Sequence, residues 1–267
     1  MSVRRRLTSA AIRARKSKRF PVITSYDAAF ARCAEAAGID VVLVGDSLGN
    51  VVLGYESTVS VTLEDMIRHT GAVARGTTKA HVIADMPFGS YEPSDADAIR
   101  AAAALIRAGG TSVKLEGGAS AASRIAAITT AGIPVVAHLG VLPQTAGIGG
   151  GFRRKNDRTA ILEDARAIAE AGAFAVVLEM VDSAIAKEVT ELIDIPTIGI
   201  GSGGGCDAQV LVLYDMLGLY AEAPPFVKRY AELANVATDA LRAYANDVRD
   251  GAFPAPIIVR APDEVEA

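Results

Sequence analysis

Apolar and polar positions fall into two repeating kinds of block along this chain. Short runs rich in Val, Ile and Leu alternate with longer Ala-rich stretches whose apolar residues recur every three or four positions. The first kind reads as a strand buried on both faces, the second as a helix with one buried face. Glycine marks the joins. Ala37-Gly38-Ile39-Asp40-Val41, Ala131-Gly132-Ile133-Pro134-Val135 and Ala171-Gly172-Ala173-Phe174-Ala175 repeat one grammar of helix, stop and strand. A glycine there can take the left-handed conformation that ends a helix.

Read this way, the chain predicts strands over 21–27, 41–46, 81–85, 111–118, 133–140, 174–179, 195–201 and 209–213. Helices are expected over 28–37, 62–75, 94–108, 120–131, 158–171, 182–193 and 231–249, the last closing the core. Thr62-Leu63-Glu64-Asp65 has the form of a capping box. An amphipathic surface helix is expected over about 7–18. Eight strands in β-then-α order favour an α/β fold, a single (β/α)8 TIM barrel. Residues 1–267 then form one domain, with 1–20 an N-terminal helical segment and 252–267 a C-terminal tail. The structural alternative is an open doubly wound sheet. Eight units and the lack of an early nucleotide fingerprint argue against it.

Bulk properties narrow the function. The chain has 267 residues, 51% hydrophobic, with no Trp, so Ala, Val, Ile and Leu must pack a large core. A net charge of −4 without a basic stripe points away from nucleic acid. No apolar run approaches membrane-spanning length. Arg4-Arg5-Arg6 has no apolar stretch behind it, so it is not read as a secretory signal. Cys33 and Cys206 make no disulfide framework, and a cytoplasmic location is expected.

The chemistry gathers at the predicted strand exits. In Thr111-Ser112-Val113-Lys114-Leu115-Glu116-Gly117-Gly118, Lys114 and Glu116 share one face and Val113 and Leu115 the other. Other strands end at Asp46, Asp85, His138 and Glu179. Barrel enzymes build their sites at these ends. Four carboxylates, a lysine and an imidazole in one ring imply a cation, and oxygen donors without clustered Cys or His select a hard one, Mg²⁺ first. Each member also has a plainer role. Asp46 could cap a loop, Asp85 could serve a turn, Lys114–Glu116 could be a structural ion pair, Glu179 could pair with an arginine, and His138 could be a satisfied core group. Gly199-Ile200-Gly201-Ser202-Gly203-Gly204 has the G-x-G-x-x-G form but lies late in the chain, so a tight turn is the plainer reading. Arg153-Arg154-Lys155 reads as solvated loop charge by default, with an anionic ligand as the alternative.

Several words of the sequence together resemble the ketopantoate hydroxymethyltransferase family. They are Gly45-Asp46-Ser47-Leu48-Gly49 with Val51-Val52-Leu53-Gly54-Tyr55, Asp85-Met86-Pro87-Phe88-Gly89-Ser90-Tyr91, Val113-Lys114-Leu115-Glu116-Gly117-Gly118, and Gly199-Ile200-Gly201 with Cys206-Asp207 and Gln209-Val210-Leu211-Val212. They run in family order from about residue 5 to 255. The resemblance implies a (β/α)8 barrel that assembles into large homo-oligomers, typically decamers. It implies transfer of a hydroxymethyl group from 5,10-methylenetetrahydrofolate to 3-methyl-2-oxobutanoate, giving 2-dehydropantoate for pantothenate and coenzyme A synthesis. Asp46, Asp85 and Glu116 resemble the Mg²⁺ site. Asp46, Ser47, Asp85 and Lys114 resemble the ketoacid-binding groups, and His138 the histidine beside them. Glu179 matches the proton acceptor. The chain departs from the family pattern at Asn50, at Gly140-Val141-Leu142-Pro143-Gln144, at Asp182 and at Gly204-Gly205. None of these touches the metal or acid–base set. Rival functions are a Mg²⁺-dependent carbon–carbon lyase acting on 2-oxoacids and a non-catalytic metabolite-binding barrel.

Overall fold

A computed structural model describes residues 6–147, 151 and 153–255. In chain order the elements are α1 (Ser9–Arg13), β1 (Phe20–Thr24), α2 (Ala28–Ala36), β2 (Val41–Val44), α3 (Leu48–Val51), α4 (Leu63–Gly76), β3 (His81–Asp85), α5 (Asp95–Ala108) and β4 (Ser112–Glu116). These are followed by α6 (Ala122–Thr130), β5 (Val135–Gly140), α7 (Pro143–Ala146), α8 (Arg158–Glu170), β6 (Ala175–Glu179), α9 (Ser183–Leu192), β7 (Thr197–Ile200), β8 (Ala208–Leu211), α10 (Leu213–Met216) and α11 (Leu233–Arg249). The eight strands close into a barrel in sequence order, every neighbour parallel, with β8 paired back onto β1. This is the expected TIM barrel.

Local chemistry explains the joins. Thr62 and Asp65 form the predicted capping box at the start of α4. Gly109, at φ 113, ends α5 in the left-handed region that glycine adopts without strain. The glycine-containing stretch after β2, which the sequence reads as neither strand nor helix, holds the short helix α3, with Ser47, the residue after Asp46, at its N-cap position. The segment expected as a helix over 7–18 is helical only from Ser9 to Arg13. It stops because the following residues are fastened elsewhere. Lys16 Nζ and the Ser17 N–H both reach buried Asp207, at 3.1 and 2.8 Å, and Asp207 also accepts from the Thr197 N–H at 2.9 Å. Ile12 of α1 joins the core made by Phe20, Val22, Val41, Leu43, Val177 and Val210, so the N-terminal segment covers the end of the barrel where the strands begin.

His81 is part of the same end. It is fully buried; its Nδ1 lies 2.9 Å from the Leu7 carbonyl and its Nε2 2.8 Å from Ser112 Oγ. Burial is the largest influence and pushes its pKa down to about 4; the Leu7 carbonyl opposes this, Arg6 adds to it and Asp40 opposes it. A histidine held neutral stabilises the fold above its unfolded pKa and loses that stability as pH falls toward the folded value. Between about pH 6.5 and 4 the unfolded chain binds one more proton at this site, a slope of about 1.4 kcal/mol per pH unit and a total of about 3 kcal/mol. Urea unfolding across this range is expected to show a shallower pH slope for His81→Gln by about one proton. An equal slope in both proteins would contradict the assignment.

The chain divides into two compact units, Met1–Leu213 and Tyr214–Ala267. The barrel lies in the first. In the second, α11 occupies nearly the span expected of the last helix, but none of its residues is buried. Val236, Leu241, Tyr244 and Val248 are 64, 68, 55 and 45% exposed. In the first unit the barrel is closed by β8 pairing with β1. Of the expected tail over 252–267, residues 256–267 lie outside the described residues, as do 148–150 and 152 of the glycine-rich loop. Among the described residues no helix is long and apolar enough to cross a membrane, and Cys33 and Cys206 are free thiols.

Candidate active site

Strand register brings the predicted residues together. Asp85 on β3 is the lateral partner of Lys114 on β4, and Glu116 on β4 is the partner of His138 on β5. Laterally paired residues of a parallel sheet point to the same face, as do residues two apart on one strand. Asp85, Lys114, Glu116 and His138 therefore form one patch. All four are buried, as is Asp46 just beyond β2.

The contacts follow from this placement. Lys114 Nζ lies 3.3 Å from Asp85 Oδ2 and 3.3 Å from His138 Nδ1. The Asp46 N–H donates to Asp85 Oδ2 at 3.0 Å. The imidazole bridges two carboxylates at ion-pair range, with Nδ1 3.5 Å from Glu116 Oε1 and Nε2 3.4 Å from Glu179 Oε2. These are not closed hydrogen bonds, since Glu116 Oε1 and His138 Nε2 each lack a hydrogen-bond partner, as does Asp85 Oδ1. Glu179 keeps 18% of its side chain exposed, the most open member of the cluster. Ser47 sits at the start of α3, with Oγ 3.0 Å from the hydroxyl of buried Tyr26.

Electrostatics in this patch are set by burial and mutual charge. Burial, then repulsion by Asp85, raises Asp46 to about 7 against the pull of Lys114. Asp85 is likewise raised, first by burial, with Lys114 opposing. Burial also acts against the charged form of Glu116, but His138, Lys114 and the Gln144 N–H outweigh it and hold this carboxyl below its usual range. Burial opposes charge on Lys114, and the surrounding Asp85, Glu116, Asp46 and Glu179 overcome it and raise the ammonium. His138 is disfavoured as a cation by burial and by Lys114, yet Glu116 and Glu179 bring it up to about 9.

The backbone around Glu179 is tightly determined. Met180 adopts φ 47, a left-handed conformation uncommon outside glycine. It is held by its N–H on the Ile200 carbonyl at 2.8 Å and by the Lys155 N–H on its own carbonyl at 2.9 Å. Ser202 Oγ accepts from the Val181 N–H at 3.0 Å and donates to the Leu178 carbonyl at 2.8 Å. The G-x-G-x-x-G run is thus a turn that braces the β6 exit. Arg154, expected as loop charge, donates to the Val181 and Gly201 carbonyls. Gly140 touches the same place. At φ 98, a Cβ there would lie 2.2 Å from the Glu179 carbonyl oxygen. Gly140→Ala is expected to lower stability by about 2–4 kcal/mol through backbone collision and left-handed strain. It should also move Glu179. Chemical denaturation measures the first effect, and a variant as stable as the parent would show that the β5–β6 exits yield easily.

Gln144 and Tyr91 belong to the site but carried no chemical signal in the sequence. Gln144 lies in α7, on the loop after β5, and is 1% exposed. It bonds Asp46, Glu116, Met86 and Tyr91. A cavity of about 400 Å³ lined by Tyr91, Glu116, Gly117, Arg124, Leu142 and Thr145 adjoins the cluster.

The donors suit a hard cation. They are carboxylate oxygens, Asp46 and Asp85 among them raised by burial and by repulsion from neighbouring carboxylates that a cation would relieve, and Asp85 Oδ1 and Glu116 Oε1 have no hydrogen-bond partner. Among the described residues no three His, Cys, Asp or Glu side chains are gathered into a ready metal cage.

Comparison with known proteins gives the family. Residues 6–256 match the family described as ketopantoate hydroxymethyltransferase. A 3-methyl-2-oxobutanoate hydroxymethyltransferase of Pyrobaculum calidifontis is 49% identical, over 92% of this chain and 94% of that protein. One from Thiobacillus denitrificans is 51% identical, over 90% and 93%. Among solved structures, phosphonopyruvate hydrolase in complex with oxalate and Mg²⁺ superposes with a TM-score of 0.63 at 16% identity, covering 92% of this chain and 88% of that one. A 2,3-dimethylmalate lyase of the PEP mutase/isocitrate lyase superfamily gives 0.62 at 18%, covering 96% and 92%. At these identities the structures establish the shared fold. A family match across nearly the whole chain, with relatives near half identity, makes this barrel enzyme a member of the ketopantoate hydroxymethyltransferase family.

Proposed function

We propose that the site transfers a hydroxymethyl group from 5,10-methylenetetrahydrofolate to 3-methyl-2-oxobutanoate, giving 2-dehydropantoate and tetrahydrofolate. The observation that carries this reading is one buried ammonium, Lys114, set among carboxylates, with the more open carboxylate of Glu179 at the edge of the same patch. That is an anion-binding group beside a proton acceptor, which is what deprotonation next to a 2-oxo acid requires. The names of the relatives supply the substrate.

Each residue then has a role. Asp46, Asp85 and Glu116 would hold Mg²⁺, which when bound supplies Lewis-acid polarisation of the 2-oxo group. Lys114, with Asp46, Ser47 and Asp85, receives the ketoacid. Its ammonium offsets the negative charge that spreads toward the oxo oxygen as C3 loses its proton. Glu179 accepts that proton. His138 lies between Glu116 and Glu179 and keeps both carboxylates oriented. The C3 electron pair forms the new carbon–carbon bond to the donor methylene. Water supplies the product hydroxyl; both carbon–nitrogen bonds that held the methylene, to N5 and N10, break, and the two nitrogens of tetrahydrofolate take up the proton from C3 and the one released by water. The cavity beside Tyr91 and Glu116 offers the folate its space.

The homo-oligomer implied by the family, a decamer, is proposed with support from α11. Leu241, Tyr244 and Val248 recur at helical spacing and are exposed. Sedimentation of the purified protein tests this. A cytoplasmic location is part of the same reading.

The deciding experiment follows the C3 proton of 3-methyl-2-oxobutanoate by NMR in D₂O with Mg²⁺, with and without methylenetetrahydrofolate. Metal-dependent exchange, with 2-dehydropantoate formed only when the folate is present, is expected. Exchange without transfer would instead support a 2-oxoacid lyase. No exchange in either condition would remove the strand-end carboxylates as the working site.

A further inference from the structure

We propose that Gln144 is a positioning residue that sets which oxygens of the site carboxylates remain open to the metal and ketoacid; this rests on the function proposed above. The observation is the completeness of its bonding. The side-chain amide donates from Nε2 to Asp46 Oδ2 at 2.8 Å and to the Met86 carbonyl at 2.9 Å. Its Oε1 accepts from the Tyr91 hydroxyl at 2.8 Å. Its backbone N–H donates to Glu116 Oε2 at 3.1 Å. One residue from the loop after β5 therefore grips a carboxylate at the β2 exit and another on β4.

The pattern of occupied and unoccupied oxygens gives the inference its direction. Asp46 Oδ2 is held by the Gln144 amide and Glu116 Oε2 by the Gln144 N–H. Asp85 Oδ2 is held by the Asp46 N–H and Lys114. The second oxygens of Asp85 and Glu116, Oδ1 and Oε1, have no hydrogen-bond partner, although Glu116 Oε1 has His138 Nδ1 at 3.5 Å. Each of these three carboxylates is thus tied to the scaffold through one oxygen, and in two of them the other is the orphan that a cation or its water would satisfy. Residues that orient metal-binding carboxylates in this way strongly affect metal affinity. The chemistry is specific to an amide at 144. A carboxylate there would have no N–H for Asp46 or Met86, and an apolar side chain would leave the buried Asp46 oxygen and Met86 carbonyl unpaired. Tyr91 sets the direction of the amide: of the two acceptors in reach of its hydroxyl, Gln144 Oε1 at 2.8 Å is nearer than the Glu116 carbonyl at 3.3 Å, and the hydroxyl oxygen itself accepts from the Glu116 N–H at 3.3 Å.

The test titrates Mn²⁺, standing in for Mg²⁺, into parent, Gln144→Met and Tyr91→Phe proteins by EPR, with 3-methyl-2-oxobutanoate present. Thermal unfolding and C3 exchange are measured on the same samples. Gln144→Met is expected to fold and to bind Mn²⁺ about 10–100-fold more weakly, with exchange slowed and partly restored by saturating metal. Tyr91→Phe, which keeps the amide and loses only its orienting hydroxyl, is expected to weaken binding about threefold. A folded Gln144→Met protein with Mn²⁺ affinity within twofold of the parent overturns the proposal. If Gln144→Met does not fold, Tyr91→Phe carries the test, and unchanged affinity there overturns it. A parent that neither binds Mn²⁺ nor exchanges the C3 proton overturns the proposed function as well, an outcome distinct from a competent parent with an indifferent variant.

Discussion

Glu179→Gln is expected to slow C3 proton exchange by about 10²–10⁴-fold, the usual contribution of a positioned base, while leaving fold and metal binding in place. Glutamine keeps the shape of the side chain and loses its ability to take a proton. Glu179 suits the role by position. It is the terminal residue of β6, only its side chain among the cluster carboxylates is substantially exposed, and the backbone behind it is pinned through Met180 and Ser202. His138 is the competing acceptor. Glu116 and Glu179 together bring it up to about 9 against burial and Lys114, so at neutral pH it is mostly protonated and poorly placed to accept another proton. His138→Asn should accordingly retain more exchange than Glu179→Gln. If the order is reversed, or if Glu179→Gln exchanges within tenfold of the parent, Glu179 is not the base.

Lys114→Met is expected to be the most damaging change to the fold among the site residues. It removes the central cation from among Asp46, Asp85 and Glu116, all buried. Breaking a buried charge arrangement from one side costs about 3–5 kcal/mol, because the remaining charges stay behind without compensation. The pH dependence has a definite sign. Burial and repulsion by neighbouring carboxylates already raise Asp46 and Asp85, and losing the lysine raises them further. A carboxyl raised in the folded state contributes full stability below its unfolded pKa and loses it as pH rises toward the folded value. In metal-free buffer the variant should therefore lie closer to the parent at pH 5 than at pH 8. Equal deficits at both values would mean that packing of the lysine stem, not its charge, is what the fold uses. Ketoacid binding should weaken in parallel, which calorimetry reads directly.

The barrel and most of its site were legible because their signals are local. A β-branched run that ends in Asp or Glu announces both a strand and its functional end, and the two-residue period placed Lys114 and Glu116 on one face before any lateral pairing was known. The register then added Asp85 and His138 to that face. Gln144 was not legible. It follows a proline in a glycine-rich stretch, and nothing in the spacing tells that the loop after β5 returns across to Asp46 on the far side of β3 and β4. Tyr91 was hidden similarly, since a buried tyrosine on a turn has no period. The role of the last helix was not legible for a different reason. Its apolar stripe is real, but amphipathicity says only that a face wants cover, not what supplies it.

The closure of β1 onto β8 has a consequence during synthesis. The pairs Phe20↔Ala208 through Ile23↔Leu211 join strands separated by roughly 180 residues of chain. Ribosomes add about 5–20 residues per second, so the nascent protein carries one edge of β1 unsatisfied for roughly 10–40 s after that strand emerges. An open edge of this kind can pair with any passing strand. The seam between first and last strand is therefore where newborn copies would cross-pair with one another, and crowding on polysomes should lower the yield of folded protein more than dilution afterward can recover.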